Sequence, residues 1–185
     1  RNWNRTVELV TESPKGGVLL LHGLSDSPYS MRSLADLFRA MRRCGKPVIA
    51  RVNGHAIAGG FGVAAACDIV IAADSATFGT PELNVGLWPM MISAILQRLI
   101  PQRLALDLML TGRRLSAQEA LQAGIVTQVV PFAELDAAVA DTVERLLSVS
   151  PAVLALGKDA FYAVEDMPLD TALDHLHTGL TTVKM

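Results

Sequence analysis

The apolar residues of this chain fall into two patterns, short continuous runs and longer stretches with helical spacing. The runs VLLLH at 18–22 and VIARV at 48–52 are typical of strands buried in a parallel sheet. Between them, apolar residues recur every three or four positions, which predicts a helix over 28–43 that begins after Ser27 and ends before Gly45. A strand, a helix and a second strand in this order predict a parallel pair and an α/β fold.

The same two patterns alternate through the rest of the sequence. Ser116 and Glu119 have the spacing of a capping box, which marks a helix start, and Gly124 marks the end of that helix. Further strands are predicted at 7–10, 68–74 and 125–130, and the segment 75–89 is predicted as loop with one short strand. Further helices are predicted from Gly59 or Gly60 to Ala66 and over 90–99, 101–111, 116–123, 132–148, 151–163 and 168–183.

Composition narrows the class of protein. With 185 residues, 51% of them hydrophobic and 18% charged, the chain can bury one substantial core. A net charge of -2, no basic face and few aromatic residues exclude a nucleic-acid partner. Asp68 and Asp74 interrupt the longest apolar run, so no membrane span is predicted. Cys44 and Cys67 lack metal-ligand spacing, which indicates reduced thiols in a cytoplasmic protein.

Four motifs follow one another from Lys46 onward: KPVIARVNGHAIAGG, ACDIVIAADSATFGTPELNVGL, LTGRRLSAQEALQAGIVTQVV, and a lysine within SPAVLALGKDAF. Their order and spacing resemble the second half of the crotonase superfamily, the enoyl-CoA hydratase/isomerase fold. The resemblance implies a crotonase-like (ClpP/crotonase) α/β fold over 41–185, truncated because the family's N-terminal half has no counterpart here. It also implies an acyl-CoA thioester as substrate, no separate cofactor, and a homo-oligomer, either a trimer or a hexamer.

The first forty residues have a different resemblance. The segment GGVLLLHGLSDSPYSMRSLADLFRA at 16–40 resembles the early strand, His-Gly loop and first helix of an α/β-hydrolase. A hydrolase also needs a G-x-S-x-G nucleophile elbow, which this sequence lacks, so esterase activity is excluded. We therefore expect a recombined chain in which a hydrolase-like segment 1–40 and a crotonase-like segment 41–185 form one folded unit. The alternative is a divergent crotonase whose first half only looks like a hydrolase.

The crotonase resemblance assigns roles to two adjacent glycines. Reactions of that family pass through a thioester enolate, whose oxygen is stabilised by two backbone N–H groups. Gly59 matches the glycine that donates one of them, and Gly60 is its helix-opening neighbour in contact with substrate. The alternative is that both are glycines required by close packing. The second N–H is expected from Gly23 or Leu24, in the loop that follows the strand at 18–22.

The same resemblance assigns the acid/base. Glu82, in FGTPE, matches the family's second acidic position, which transfers a proton next to the thioester. The other hydratase carboxylate would stand three residues after Gly59, where this chain has Gly62. Water addition by two carboxylates is therefore disfavoured, and an isomerase-like double-bond shift with a single Glu is expected. The rival prediction is a structural fold without turnover.

Other residues carry weaker signals. Trp88 is expected to form one wall of the acyl pocket, beside a helix start rich in Met and Ile; the alternative is that this helix start is simply buried in the core. His55 is interpreted as structural, and His175 and His177 lack the third ligand that a zinc site needs. A basic cluster near the end of the first helix is interpreted as a solvated surface rather than a phosphate site. Its members are Arg39, Arg42, Arg43 and Lys46.

Overall fold

The structure, a computed structural model, describes residues 28–182, with side chains described for 34–179. The strands predicted at 7–10 and 18–22, and the loop residues Gly23 and Leu24, lie outside the described residues. The hydrolase-like strand and loop are therefore still predictions. The helix predicted over 28–43 is confirmed as Pro28–Arg43.

The described part of the chain contains eight α-helices, six strands and two short 3-10 helices. The helices are α1 Pro28–Arg43, α2 Gly59–Ala65, α3 Met90–Leu99, α4 Gln102–Thr111, α5 Ala117–Gln122, α6 Leu135–Leu147, α7 Pro151–Ala163 and α8 Leu169–Thr182. The strands are β1 Ile49–Val52, β2 His55–Ile57, β3 Ile69–Ala73, β4 Thr77–Gly79, β5 Arg114–Ser116 and β6 Gln128–Val130. The 3-10 helices are Pro81–Val85 and Phe132–Glu134.

The strands form two small sheets rather than one. β1, β3 and β6 pair in parallel in the order β1-β3-β6. In the second sheet β2 pairs in parallel with β4, and β4 pairs antiparallel with β5. The chain passes from the first sheet to the second between Val52 and His55 and returns to the first through α2. The short helix α2 therefore follows a strand of one sheet and precedes a strand of the other.

The main core surrounds α2. Phe61 is fully buried and packs edge-to-face on Phe78 of β4, with ring centroids 5.7 Å apart. Leu96 of α3 and Leu108 of α4 belong to the same apolar cluster. On its other side α2 contacts α1, where Phe38 lies in a second cluster with Val63. Residues 61–65 of α2 are buried, whereas Gly59 and Gly60 at its start are partly exposed.

Three strands differ from prediction. Residues 125–130 were predicted as a strand, but only Gln128–Val130 pairs with β3. Ile125 and Val126 instead pack in the main core. The N–H of Ile125 donates to Ala120 O at 2.9 Å, just after the end of α5. The strands β2 and β5 were not predicted, because three residues are too few for an alternating pattern to stand out.

Candidate active site

The two candidate catalytic residues follow neighbouring strands at the same sheet edge. In the parallel pair β2 and β4, Ile57 lies opposite Gly79. Gly59 comes two residues after Ile57 and Glu82 three residues after Gly79. Since parallel strands end at the same edge, the topology brings the start of α2 and the loop that carries Glu82 together.

A backbone hydrogen bond joins the two loops directly. The N–H of Ala58 donates to Gly79 O at 2.9 Å, and Ala58 O accepts from the N–H of Gly62 at 3.1 Å as the first bond of α2. Between these contacts Ala58 has φ 53° and ψ −128°, and among the described residues no other non-glycine has a positive φ. Such a conformation costs about 1–3 kcal/mol and is kept only where the surroundings enforce it.

The open side of α2 lies at its first turn. The N–H groups of Gly59 and Gly60 precede the first intrahelical hydrogen bond, so the helix itself supplies no acceptor for them. A Cβ built on Gly60 would meet no heavy atom of the described structure within 4 Å. Within the described residues, close packing therefore does not require a glycine at position 60.

Gly62 has the opposite environment. It is buried, and a Cβ at this position would lie 3.1 Å from Phe38 Cζ and 3.4 Å from Ile92 Cβ. The place where a hydratase would hold its other carboxylate is thus occupied by side chains from α1 and α3. Any residue larger than glycine at position 62 would therefore have to displace Phe38 or Ile92.

Glu82 lies on the 3-10 helix Pro81–Val85, which Gly86 ends in a left-handed conformation at φ 74°. Its side chain is half-buried, and its Oε2 atom is screened from solvent. The N–H of Leu87 donates to Glu82 O at 3.0 Å and closes the turn. A partly desolvated carboxylate on a fixed turn is suited to proton transfer with an apolar substrate carbon.

The segment after Glu82 supplies apolar side chains. Trp88 is half-buried and packs against the main core cluster, and Ile92 is a core residue. Leu83, Val85, Leu87 and Met90 are exposed. Trp88 thus lies at the boundary between core and surface, six residues from Glu82 in the sequence, and its role as a pocket wall is still a prediction.

The lysine of the fourth motif, Lys158, is held by contacts within the fold. Lys158 Nζ donates to Met41 O at 2.6 Å and Lys46 O at 2.8 Å, and it pairs with Asp68 Oδ2 at 2.7 Å. Asp68 also accepts from Val48 N at 2.6 Å and from the Tyr162 hydroxyl at 2.7 Å. This buried network joins α7 to the end of α1 and the starts of β1 and β3.

Two arginines of the basic cluster form ion pairs with residues of the chain itself. Arg42 forms an ion pair with Glu165 and stacks over the Tyr162 ring at 4.5 Å. Arg39 pairs with Asp36 at 2.9 Å on the surface, where such pairs contribute little to stability. These contacts support the interpretation as a helix end rather than a phosphate site.

The cysteines and histidines show no catalytic arrangement in the described structure. Burial raises the pKa of the Cys67 thiol to about 12, so the thiol stays protonated and poorly nucleophilic at neutral pH. Asp68 adds to this shift. His55 is exposed, with Nδ1 2.7 Å from Thr77 Oγ1. Within residues 28–182 no three His, Cys, Asp or Glu side chains are grouped to hold a metal ion, and no helix is long and apolar enough to cross a membrane.

The sequence profile of the family described as "Enoyl-CoA hydratase/isomerase" matches residues 21–182. The chain belongs to this family. The match includes residues 21–40, which lie in the segment compared with a hydrolase, so it gives no support to the hydrolase resemblance or to a recombined chain. The predicted crotonase-like fold is confirmed, and the family match begins at residue 21, before the predicted boundary at 41.

Individual relatives agree with the profile. Over 141 residues the chain is 37% identical to the mitochondrial enoyl-CoA hydratase domain-containing protein 3 of Rattus norvegicus, covering 76% of this chain and 47% of that protein. It is 36% identical over 136 residues to carnitinyl-CoA dehydratase of Salmonella typhi, covering 73% and 52%. The chain thus spans about half the length of these curated relatives.

Solved structures share the fold. The crystal structure of human enoyl-CoA hydratase domain-containing protein 3 is similar with a TM-score of 0.79 at 37% identity, covering 81% of this chain and 59% of that one. An enoyl-CoA hydratase of Mycobacterium smegmatis gives a TM-score of 0.80 at 29% identity, covering 85% and 63%. This chain therefore shares the crotonase-like fold of these structures over the part that they cover.

The sequence alone did not reveal two features of the site. Ala58 carries no signal of its strained backbone, because alanine is not a residue that marks a positive φ. Thr80 is fully buried beside Glu82, yet a threonine before a proline resembles any loop residue.

Proposed function

We propose that this chain catalyses an isomerase-like proton transfer on an acyl-CoA thioester, with Glu82 as its single acid/base and the Gly59 N–H as an oxyanion donor. The observation that carries the proposal is the hydrogen bond from Ala58 N to Gly79 O, which joins the loop of the donor to the loop of the base. The CoA thioester enters as substrate, and no separate cofactor takes part.

The reaction proceeds in two proton transfers. The Glu82 carboxylate removes a proton from the α-carbon of a β,γ-unsaturated thioester, and the C–H electron pair moves to form a dienolate. The Gly59 N–H stabilises the negative charge on the thioester oxygen, which the start of a helix also favours. Protonated Glu82 then returns the proton to the γ-carbon, which gives the α,β-unsaturated thioester and restores the carboxylate.

The packing at Gly62 favours this reaction over hydration. Water addition in a two-carboxylate site needs a second carboxylate to activate the water. Phe38 Cζ lies 3.1 Å from the Cβ that any such residue would bring to position 62. A single carboxylate suffices for the double-bond shift, because the same group can remove and return the proton.

The remaining contacts of the site are part of the proposal. The Gly60 N–H and the Trp88 ring contact the substrate beside Gly59. The second oxyanion donor is the N–H of Gly23 or Leu24, supplied by the hydrolase-like segment in a recombined chain. A homo-oligomer, trimer or hexamer, in the cytoplasm completes the expected organisation.

The test uses vinylacetyl-CoA, a small β,γ-unsaturated thioester, in deuterated water. We expect conversion to crotonyl-CoA, with deuterium at the γ-carbon to the extent that protonated Glu82 exchanges with solvent before it returns the proton, and a loss of about a hundredfold or more in kcat for Glu82→Gln. Glu134→Gln is the matched control, because Glu134 also lies on a 3-10 helix but is exposed. It should leave kcat unchanged.

Three results would contradict the proposal. Full turnover by Glu82→Gln would remove Glu82 as the base. Hydration of crotonyl-CoA faster than isomerisation would show that water addition does not need a carboxylate at position 62. Binding of neither thioester and no deuterium incorporation by the unchanged chain would favour the rival prediction of a structural fold without turnover.

A further inference from the structure

Thr80 is a buried polar residue whose hydroxyl has one hydrogen-bond partner among the described residues. Its side chain is fully buried, and its Oγ1 donates to Leu108 O at 3.0 Å. A buried hydroxyl costs free energy unless it is hydrogen-bonded, so this contact holds Thr80 in one position. Leu108 lies in the last turn of α4, and its carbonyl also accepts from Gly112 N at 3.0 Å.

The backbone on either side of Thr80 leads to the two candidate catalytic groups. On one side, Gly79 O accepts from Ala58 N at 2.9 Å, next to Gly59. On the other side, Pro81 begins the 3-10 helix that carries Glu82. Thr80 therefore connects Gly79, which is hydrogen-bonded to the residue before Gly59, with the 3-10 helix that carries Glu82.

The end of α4 provides the rigid support for this point. Gly112 ends α4 in a left-handed conformation at φ +65°, and a Cβ there would lie 3.6 Å from Pro81 Cα and 3.8 Å from Thr80 O. The start of the Glu82 helix thus rests directly on the glycine turn. The hydrogen bond from the Thr80 hydroxyl to Leu108 O joins the same two elements, the start of the Glu82 helix and the end of α4.

We propose that Thr80 is a positioning residue, whose hydrogen bond to Leu108 O fixes the Glu82 carboxylate relative to the Gly59 N–H. The inference rests on the proposed function for its catalytic consequence. Thr80 does not touch the substrate; it acts through the short segment from Thr80 to Glu82. A displacement of about 1 Å at a reacting group can cost about a hundredfold in rate, so a single buried hydrogen bond can have a large effect.

Thr80→Val tests this role because it keeps the shape of the side chain and removes only the hydroxyl. Leu108 O keeps its bond from Gly112 N, so we expect the variant to fold. Thr80→Ser restores the hydroxyl. The matched control is Thr142→Val, since Thr142 is also buried and its Oγ1 donates to Ala138 O at 2.9 Å, within α6, a helix that carries neither candidate catalytic group.

Two readouts are needed, isomerisation of vinylacetyl-CoA and amide hydrogen exchange over residues 81–87. For Thr80→Val we expect kcat to fall by about tenfold to a hundredfold with KM within about twofold, and faster exchange over 81–87. Thr80→Ser should recover most of kcat and the slow exchange. Thr142→Val should change neither readout.

The outcomes separate this inference from the proposed function. If the unchanged chain does not isomerise the thioester, the proposed function fails, and amide exchange alone decides whether Thr80 holds the Glu82 segment. Exchange over 81–87 that is the same in Thr80→Val as in the unchanged chain would overturn the inference. So would a kcat loss of equal size in Thr142→Val, because it would reflect general loss of stability.

Discussion

Gly60 and Gly62 lie two residues apart on α2 and play different roles. Gly60 faces open space, whereas Gly62 is packed against Phe38 and Ile92. Alanine favours a helix over glycine by about 1 kcal/mol at either position. Only at Gly62 is that gain opposed by overpacking, which costs about 1–3 kcal/mol in a filled core.

We therefore predict that Gly60→Ala has a higher free energy of unfolding than the unchanged chain. Gly62→Ala should have a lower free energy of unfolding than Gly60→Ala, as measured by urea denaturation. The double variant Phe38→Leu with Gly62→Ala should show a favourable coupling, because the shorter side chain leaves room for the new methyl group. Equal stability of the two alanine variants would mean that Phe38 moves aside without cost.

At the scale of elements, the helices were predicted well because each carries its own signals. The capping box of α5 is confirmed in full: Ser116 Oγ accepts from Glu119 N, and Glu119 Oε2 accepts from Ser116 N. The short strands were harder to predict, because β2 and β5 are defined by their pairing with β4 rather than by a local pattern.

This capping box predicts a pH dependence. The hydrogen bond from the Ser116 backbone N–H, and then that from its hydroxyl, lower the pKa of Glu119 below its ordinary value of 4.5. A lowered folded-state pKa means that the stabilisation is complete above that ordinary value and is lost as pH falls through the folded-state pKa.

In Ser116→Ala the carboxylate loses the hydroxyl and keeps the backbone donor. We expect the pKa of Glu119, followed by carbon NMR of its side-chain carboxyl, to move only part of the way back toward 4.5. A complete return to 4.5 would show that the backbone bond contributes nothing.

At the scale of the whole molecule, the sequence motifs predicted which residues belong to the candidate site but not how they are held. Gly59 and Glu82 follow from the family resemblance, and the β2-β4 pairing brings their loops to one edge. The strain at Ala58 and the buried hydroxyl of Thr80 depend on contacts between residues distant in sequence, which a local pattern does not encode.

Lys158 shows the same dependence on distant contacts, and it determines how α7 is attached to the rest of the molecule. Its side chain is only 7% exposed, and Nζ contacts Asp68 and two main-chain carbonyls from the end of α1 and the loop that follows. Lys158→Met would keep most of the apolar stem while leaving Asp68 without its cation. Removing one partner of a buried ion pair costs about 3–5 kcal/mol, far more than the pair itself contributes.

We therefore predict that Lys158→Met lowers the free energy of unfolding by several kcal/mol and speeds amide exchange at the end of α1 and in β1. Arg145→Met is the control, because its pair with Asp141 is 68% and 67% exposed and should contribute less than about 1 kcal/mol. If the double variant Lys158→Met with Asp68→Asn is more stable than Lys158→Met, the loss comes from the uncompensated carboxylate. If the second change has no effect, the carbonyl contacts of Lys158 provide the attachment, since they are absent from both variants.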